Sequence, residues 1–310
     1  RKLLTEGRFR AAAESFRALA NDSASAEQRE RATDLAELAE HWASRVEDAE
    51  PLFRTQKPTR TRDEITLLYA SSLLYGIGTG AWYLLQVQPD SALTATLPFI
   101  GISAAPVIGV AIVDGFKPLP FGVPHGISSG LYLGLGEGIF ASAYQHARAH
   151  RVDAASADNT RWQPETVASV LWGASTLGGI AGGALAAGLP TTQGRISYTA
   201  STTLWGGLLG VGFTGALVPA NAHRTETTVL VGGLAYNAGL LGGMLTAARV
   251  SPSVARVRIG DLSALAGGLA SGGIYLAFAG RDANTHAAFG FTAAGATLGL
   301  AAGWWLTRNM

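Results

Sequence analysis

Two polar residues in the middle of long apolar segments are the side chains best placed to do chemistry. Glu137 is the only ionisable residue well inside such a segment, and Asn237 has a similar position one hundred residues later. Holding a carboxylate inside a membrane is costly, so it indicates a function: binding a cation, relaying a proton or lining a water-filled path. The alternatives are a protonated Glu137 hydrogen-bonded to a neighbouring helix and an Asn237 that joins two helices.

Two prolines, Pro98 and Pro106, interrupt another apolar segment. A proline inside a membrane helix removes a backbone hydrogen bond and bends the helix. We expect the pair to break this segment; broken helices often line substrate sites, although a simple kink has the same sequence signature. Glu137, Asn237, Pro98 and Pro106 together form the candidate polar site.

Other chemistry has little support in the sequence. The chain has no Cys, and its six His residues show no spacing typical of a metal site. No Ser, Thr or Lys stands beside a base in a nucleophile arrangement, so we expect no enzyme activity, no cofactor and no metal. The net charge of +1 is too small for a protein that binds nucleic acid through phosphate contacts.

The elements that would position these residues are long apolar helices. Gly accounts for 40 of the 310 residues, charged residues for only 15%, and the mean hydropathy is +0.22. Eight segments have the length a helix needs to cross a bilayer: 65–87, 92–113, 122–145, 165–189, 197–219, 226–248, 260–280 and 286–307. The sequence therefore predicts an all-α, multi-pass membrane protein. A transmembrane β-barrel is the rival architecture, but its strands are shorter and alternate strictly.

The segments repeat in pairs. Residues 76–80 (GIGTG) resemble residues 134–138 (GLGEG) at an offset of 58, and the last two pairs of segments align at an offset of 63. This pattern predicts a two-helix hairpin used four times. Successive copies enter the membrane from the same side, so the repeats are parallel rather than inverted.

Glycines four residues apart run through most of the segments. Small residues at this spacing let helix backbones approach closely where lipid offers no hydrophobic drive for association. We expect them to pack helices within a dense bundle, and some to face neighbouring subunits or a pore. The set is Gly126, Gly130, Gly134, Gly138, Gly178, Gly182, Gly206, Gly210, Gly239, Gly243, Gly268, Gly272, Gly295, Gly299 and Gly303.

The first part of the chain has a different composition. Residues 1–64 carry 25 charged side chains, and the remaining 246 residues carry 20. We expect a soluble helical hairpin over 1–50, a polar linker over 51–63 and the membrane bundle over 64–310. Gly7, Phe9, Ala12, Phe16 and Leu19 resemble the second helix of a tetratricopeptide repeat, and this resemblance implies a surface that binds a partner protein. The alternative is an amphipathic cap on the bundle.

Two functions from different classes fit these patterns. The first is a pore or transport bundle, of one copy or as a homo-oligomer, that passes a small solute or ion near Glu137 and Asn237. The second is a membrane scaffold, or a subunit of a membrane complex, whose N-terminal helices recruit protein partners. Basic residues are twice as numerous on the side shared with the N-terminal segment, which favours a cytoplasmic location for that side. A bacterial cell-envelope membrane is expected; the inner membrane fits this bias, and the outer membrane fits the weakly apolar spans.

Overall fold

The computed structural model describes residues 9–22, 25–55, 60–149, 161–189, 191–220 and 223–308. These residues form ten α-helices and one 3₁₀ turn, and no strand occurs among them. The prediction of an all-helical chain is therefore confirmed. The chain divides into two compact units, Arg1–Thr59 and Arg60–Met310.

In the first unit, the residues that the structure describes form two helices, α1 (Phe9–Asp22) and α2 (Ala26–Thr55), that pack against each other. Their contact is made of small residues, Ala12 and Ala13 against Ala39, with Phe16 at its edge. The second helix ends at Thr55, past residue 50, where we expected the hairpin to end, so it extends into the expected linker. Glu and Ala, which favour helix, continue through residues 47–50. Within the expected linker, residues 56–59 lie outside the described residues, and so does Gly7 of the tetratricopeptide-like motif.

A row of large apolar side chains on α2 remains exposed. Leu35, Leu38 and Trp42 are each more than 40% exposed, while Ala32 and Ala39 carry the buried side of the helix. The structure buries the small residues of α2 rather than these large ones, because α1 packs on α2 through alanines.

The described residues of the second unit form eight α-helices, one at each predicted span. They are α3 (Arg62–Val87), α4 (Ala92–Phe116), α5 (Val123–Ala149), α6 (Pro164–Gly188), α7 (Gln193–Leu217), α8 (Arg224–Val250), α9 (Val254–Ala279) and α10 (Thr285–Leu306). Five are long and apolar enough to cross a membrane: α4, α6, α8, α9 together with the 3₁₀ turn that follows it, and α10. The chain is thus compatible with an integral membrane protein.

The eight helices pack as four hairpins, in which each odd-numbered helix pairs with the helix that follows it. Backbones approach very closely at the glycines. A Cβ built on Gly130 would lie within 3.0 Å of the Gly178 carbonyl carbon, and one on Gly299 would lie within 3.0 Å of the Ser263 carbonyl. At each of the fifteen predicted packing glycines, an added Cβ would come within 3.4 Å of an atom of the other helix of its own hairpin.

The hairpins are arranged in a row. The first helix of each hairpin also contacts the next hairpin: α3 packs on α5 and α6, α5 on α7 and α8, and α7 on α9 and α10. Because each hairpin crosses the unit twice, α3, α5, α7 and α9 point in the same direction. The connections therefore alternate between two ends of the unit.

Two local expectations were wrong. Pro98 and Pro106 do not break the second span, because α4 is one continuous helix of 25 residues with both prolines inside it. A proline removes only one hydrogen bond, and the surrounding bonds keep the helix intact. The seventh span also begins earlier than predicted. Ser253 caps α9 by accepting a hydrogen bond from the Arg256 amide, so Asp261 lies in the third turn rather than at the helix start.

Candidate functional site

The structure brings the two predicted polar residues together. Asn237 Nδ2 donates a hydrogen bond to Glu137 Oε2 across the α5–α8 contact at 3.2 Å, and a second to the Gly233 carbonyl of its own helix at 3.0 Å. Glu137 is the fifteenth of 27 residues in α5 and Asn237 the fourteenth of 27 in α8. Both therefore lie at mid-helix. Asn237 is exposed and Glu137 is half-buried, so the pair reaches the outer surface of the unit.

Aromatic residues flank the pair along the same contact. The Tyr236 hydroxyl donates to the Leu133 carbonyl at 2.8 Å, and the Phe140 ring lies 5.4 Å from the Tyr236 ring. Farther towards the end of α5, the Tyr144 hydroxyl donates to Glu226 Oε1 at 3.3 Å. A seam of polar side chains thus joins the second hairpin to the third, with Glu137 as its central charged member.

A second seam joins the first hairpin to the second in the same way. Tyr75 hydrogen-bonds Thr176 at 2.6 Å, Trp172 Nε1 donates to Thr79 at 3.2 Å, and Trp82 Nε1 donates to Ser169 at 3.0 Å. The indoles of Trp82 and Trp172 stack at 4.5 Å. Successive bonds join later residues of α3 to earlier residues of α6, as expected for two antiparallel helices.

The two seams share equivalent positions of the repeat mid-helix, although their bonded pairs differ. The offset of 58 that relates residues 76–80 to residues 134–138 places Thr79 on Glu137, and an offset of 61 places Thr176 on Asn237 and Glu165 on Glu226. The end of each seam is alike, since Gln88 Nε2 donates to Glu165 Oε1 at 2.8 Å where Tyr144 donates to Glu226. Mid-helix, a neutral hydroxyl of the first seam is replaced by a carboxylate in the second.

Pro98 and Pro106 do not join this site. Their helix, α4, has its main packing contact with α3, whereas Glu137 and Asn237 lie on α5 and α8. Pro106 borders a cleft with Leu68 and Tyr75, and the Ser103 carbonyl beside it is where an added Cβ on Gly76 would collide.

A buried carboxylate at the α3 N-terminus, that of Glu64, was missed by the sequence analysis. Glu64 is 1% exposed; its Oε2 accepts from the Thr61 amide at 2.9 Å, and its Oε1 accepts from the Gly122 amide at 2.8 Å. Thr61 in turn accepts from the Glu64 amide, which completes a capping box. The Thr-x-x-Glu spacing at residues 61–64 is the known signature of this motif and was readable in the sequence.

An ion pair closes the same end of the first hairpin. The Arg60 guanidinium donates through Nε and Nη2 to the two carboxylate oxygens of Asp114, at the end of α4. The hydrogen bond to this carboxylate raises the pKa of Arg60 above its usual value. The Arg60 amide also donates to the Leu119 carbonyl at 3.2 Å. These contacts hold together the residues before α3, the end of α4 and the residues before α5.

Asp261 is a further hydrogen-bond acceptor inside a long helix, α9. Its Oδ1 accepts hydrogen bonds from the Ser201 hydroxyl and, at 2.9 Å, from the Trp205 indole, both on α7. Trp205 is buried with Ala264 and Ala296 at the centre of the last two hairpins. Asp261 therefore ties the third hairpin to the fourth and does not cap its own helix.

Among the described residues of the second unit, three of the clefts between hairpins have linings in which apolar atoms dominate. Two, of about 500 and 340 Å³, lie between the first and second hairpins. The third, of about 340 Å³, lies between the second and third hairpins and has Arg195 in its wall. No group of three or more His, Asp or Glu side chains that could hold a metal ion occurs in the described ranges.

Comparison of the chain with protein-family models, with curated proteins and with solved structures gives no match. The functional conclusions therefore depend on the geometry above.

Proposed function

We propose that residues 62–306 form an eight-span integral membrane domain. Three helices, α3, α5 and α7, are not among the five that are long and apolar enough to cross a membrane. They are also the helices that pack on the following hairpin, so their polar side chains meet protein rather than lipid. Ser128 on α5 and Thr203 on α7, for example, are both fully buried. A polar residue shielded in this way adds little to the cost of crossing.

Within this domain, we propose that the Glu137–Asn237 pair lines a path for a small cation or proton between copies of the protein. The observation that carries the proposal is the outward position of a carboxylate and an amide at mid-helix. In hydrocarbon such a pair would lose the hydration of the charged group, which is too costly to leave uncovered. The clefts within one copy are apolar, so a water-filled path fits best where two or more copies meet.

The comparison of the two seams supports a role for the charge itself. Thr79 fills the equivalent position in the first seam and makes an interhelical hydrogen bond without any charge. A hydroxyl is therefore enough to hold two hairpins together. The carboxylate of Glu137 costs free energy to hold inside a membrane, and joining two helices does not require a charge. Attraction of a cation, or relay of a proton, is a function that does require the carboxylate.

Flux through proteoliposomes tests this proposal. Purified full-length protein is reconstituted, and K⁺ and H⁺ fluxes are measured for wild type, Glu137→Gln and Asp90→Asn. Glu137→Gln retains an acceptor for Asn237 but removes the charge, while Asp90→Asn removes one charge from the exposed α3–α4 connection. We expect Glu137→Gln to reduce flux at least about tenfold, which corresponds to 1.4 kcal/mol in the barrier, and Asp90→Asn to leave it unchanged. No flux with a folded protein, or equal flux in all three, would refute the proposal.

A scaffold function is the second candidate, and two observations favour it. The glycine-packed hairpins form a compact anchor, and the first unit exposes Leu35, Leu38 and Trp42 in one row. In this alternative the exposed row binds a partner protein, as the tetratricopeptide-like resemblance implies, and Glu137 only joins helices. The full-length protein would then show no flux, and Leu35→Ser with Trp42→Ser would abolish partner capture without changing membrane insertion.

A further inference from the structure

The cleft between the second and third hairpins differs from the other two described clefts because an arginine, Arg195, lines one end of it. It runs from Leu133 and Leu240 at mid-helix to Thr191 and Arg195 at the end where the α6–α7 and α8–α9 connections lie. Its volume of about 340 Å³ is within the range of ligand-binding pockets. We name it the Arg195 cleft.

The rest of the Arg195 cleft has an apolar lining, and we call this part its channel. Gly126, Gly130 and Gly182 line the channel from the α5–α6 hairpin, where the absence of their side chains lets the two helix backbones meet, and Leu240 and Met244 line it from α8. Met adapts its shape to what it contacts. A flexible hydrocarbon chain is an occupant that such a lining fits.

The polar end of the Arg195 cleft offers donors to an anion. Arg195 is half-buried in the first turn of α7, and its Nη2 donates to Ser251 Oγ at 3.3 Å, which holds the guanidinium at the cleft end. The Thr191 hydroxyl also lines the cleft, is buried, and has no hydrogen-bond partner among the described residues. Buried hydroxyls are nearly always paired. An unpaired hydroxyl in the same lining as Arg195 therefore leaves a second donor for an anionic ligand.

The larger of the two clefts described between the first and second hairpins, of about 500 Å³, provides an internal comparison. The offset of 58 relates Leu68, Ser72 and Tyr75 in that cleft to Gly126, Gly130 and Leu133 in the Arg195 cleft. The first cleft contains no charged residue in its lining. The two clefts thus share a position in the repeat but differ in charge.

We propose that the Arg195 cleft binds one anionic phospholipid, with an acyl chain in the channel and the phosphate between Arg195 and Thr191. Guanidinium groups pair strongly with phosphate oxygens, and basic pockets between membrane helices bind acidic headgroups. The inference rests on the membrane embedding proposed above but not on conduction, so a protein without flux could still retain the lipid.

Native mass spectrometry of the full-length protein tests the site. The protein is released from nanodiscs that contain phosphatidylglycerol and phosphatidylcholine with identical acyl chains, and retained lipid is counted. Arg195→Gln is compared with Arg258→Gln, because the offset of 63 relates the two arginines and Arg258 is exposed outside the described clefts. Ala248→Phe fills the channel without changing the charge.

We expect Arg195→Gln to reduce retained phosphatidylglycerol about fivefold, Ala248→Phe to remove it, and Arg258→Gln to leave it at the wild-type level. Circular dichroism verifies that each variant is folded. Equal losses in both arginine variants would indicate surface charge and overturn the proposal. Retention that is insensitive to all three substitutions, or displacement of the lipid by inorganic phosphate alone, would overturn it too.

Discussion

Asn237 donates its side-chain amide to the Glu137 carboxylate at the level where the preceding seam has two threonines. If the pair contributes to stability, the effects of removing its members will not be additive. Polar contacts between membrane helices contribute about 0.6 kcal/mol on average and at most about 1.7. We expect a coupling energy in this range from thermal unfolding of Glu137→Ala, Asn237→Ala and the double variant in detergent. Additive effects would mean that the two side chains do not interact.

Close backbone contact in the second hairpin should make Gly130 intolerant of even one methyl group. An added Cβ would collide with the Gly178 carbonyl, so the helices must separate. We expect Gly130→Ala to destabilise the protein by about 1–3 kcal/mol. Gly173→Ala on α6 is the matched control, because nothing lies within 4 Å of its added Cβ, and it should stabilise by up to about 1 kcal/mol. Similar shifts in both midpoints of thermal unfolding would contradict the packing.

The buried Glu64 should be important for the stability of the first hairpin. Replacing it with Ala leaves the Thr61 and Gly122 amides without their acceptor, and a buried unpaired donor costs about 1–3 kcal/mol. Glu64→Gln retains one carbonyl oxygen and should cost less. Asp63→Ala, in the same turn but exposed, should cost only a few tenths of a kcal/mol. Thermal unfolding measured for the three variants would contradict this account if Asp63→Ala were as damaging as Glu64→Ala.

A topology with eight membrane spans and one with five place the α6–α7 connection on different sides of the membrane. The chain has no native Cys, so single cysteines can be labelled from one side with a membrane-impermeant maleimide. With eight spans, Lys117→Cys and Gln193→Cys react from the same side, and Asp90→Cys reacts from the other. If only the five most apolar helices cross, Gln193→Cys changes sides and reacts together with Asp90→Cys.

Much of the fold was predictable because its period is visible in the glycines. The similarity of residues 76–80 to residues 134–138 predicted the hairpin unit, and each predicted span coincides with one observed helix. The same alignment sets Thr79 against Glu137, which identifies Glu137 as the exceptional member of a repeated position. Glycine spacing also fixed which faces of α5 and α6 meet, because only small residues allow the observed approach.

The pairing of side chains between hairpins was not predictable in the same way. Asn237 and Glu137 meet only because α8 packs on the preceding hairpin with a particular register, and hydropathy carries no signal for that register. The start of the seventh span was misplaced for a related reason: Arg256 and Arg258 lie inside α9, whereas a boundary drawn from composition excludes charged residues from the span. Glu64 is different, since its capping spacing was present in the sequence.

The most direct test of the central claim is whether Asn237 faces water in the membrane-embedded protein. Asn237→Cys and Leu298→Cys are reconstituted in liposomes and treated with a membrane-impermeant cationic thiosulfonate; Leu298 is an exposed apolar residue at mid-helix on α10. A path past Glu137 predicts rapid labelling of Asn237→Cys, with loss of cation flux, and no labelling of Leu298→Cys. Protection of both cysteines would contradict the path and leave the pair as a bond between hairpins.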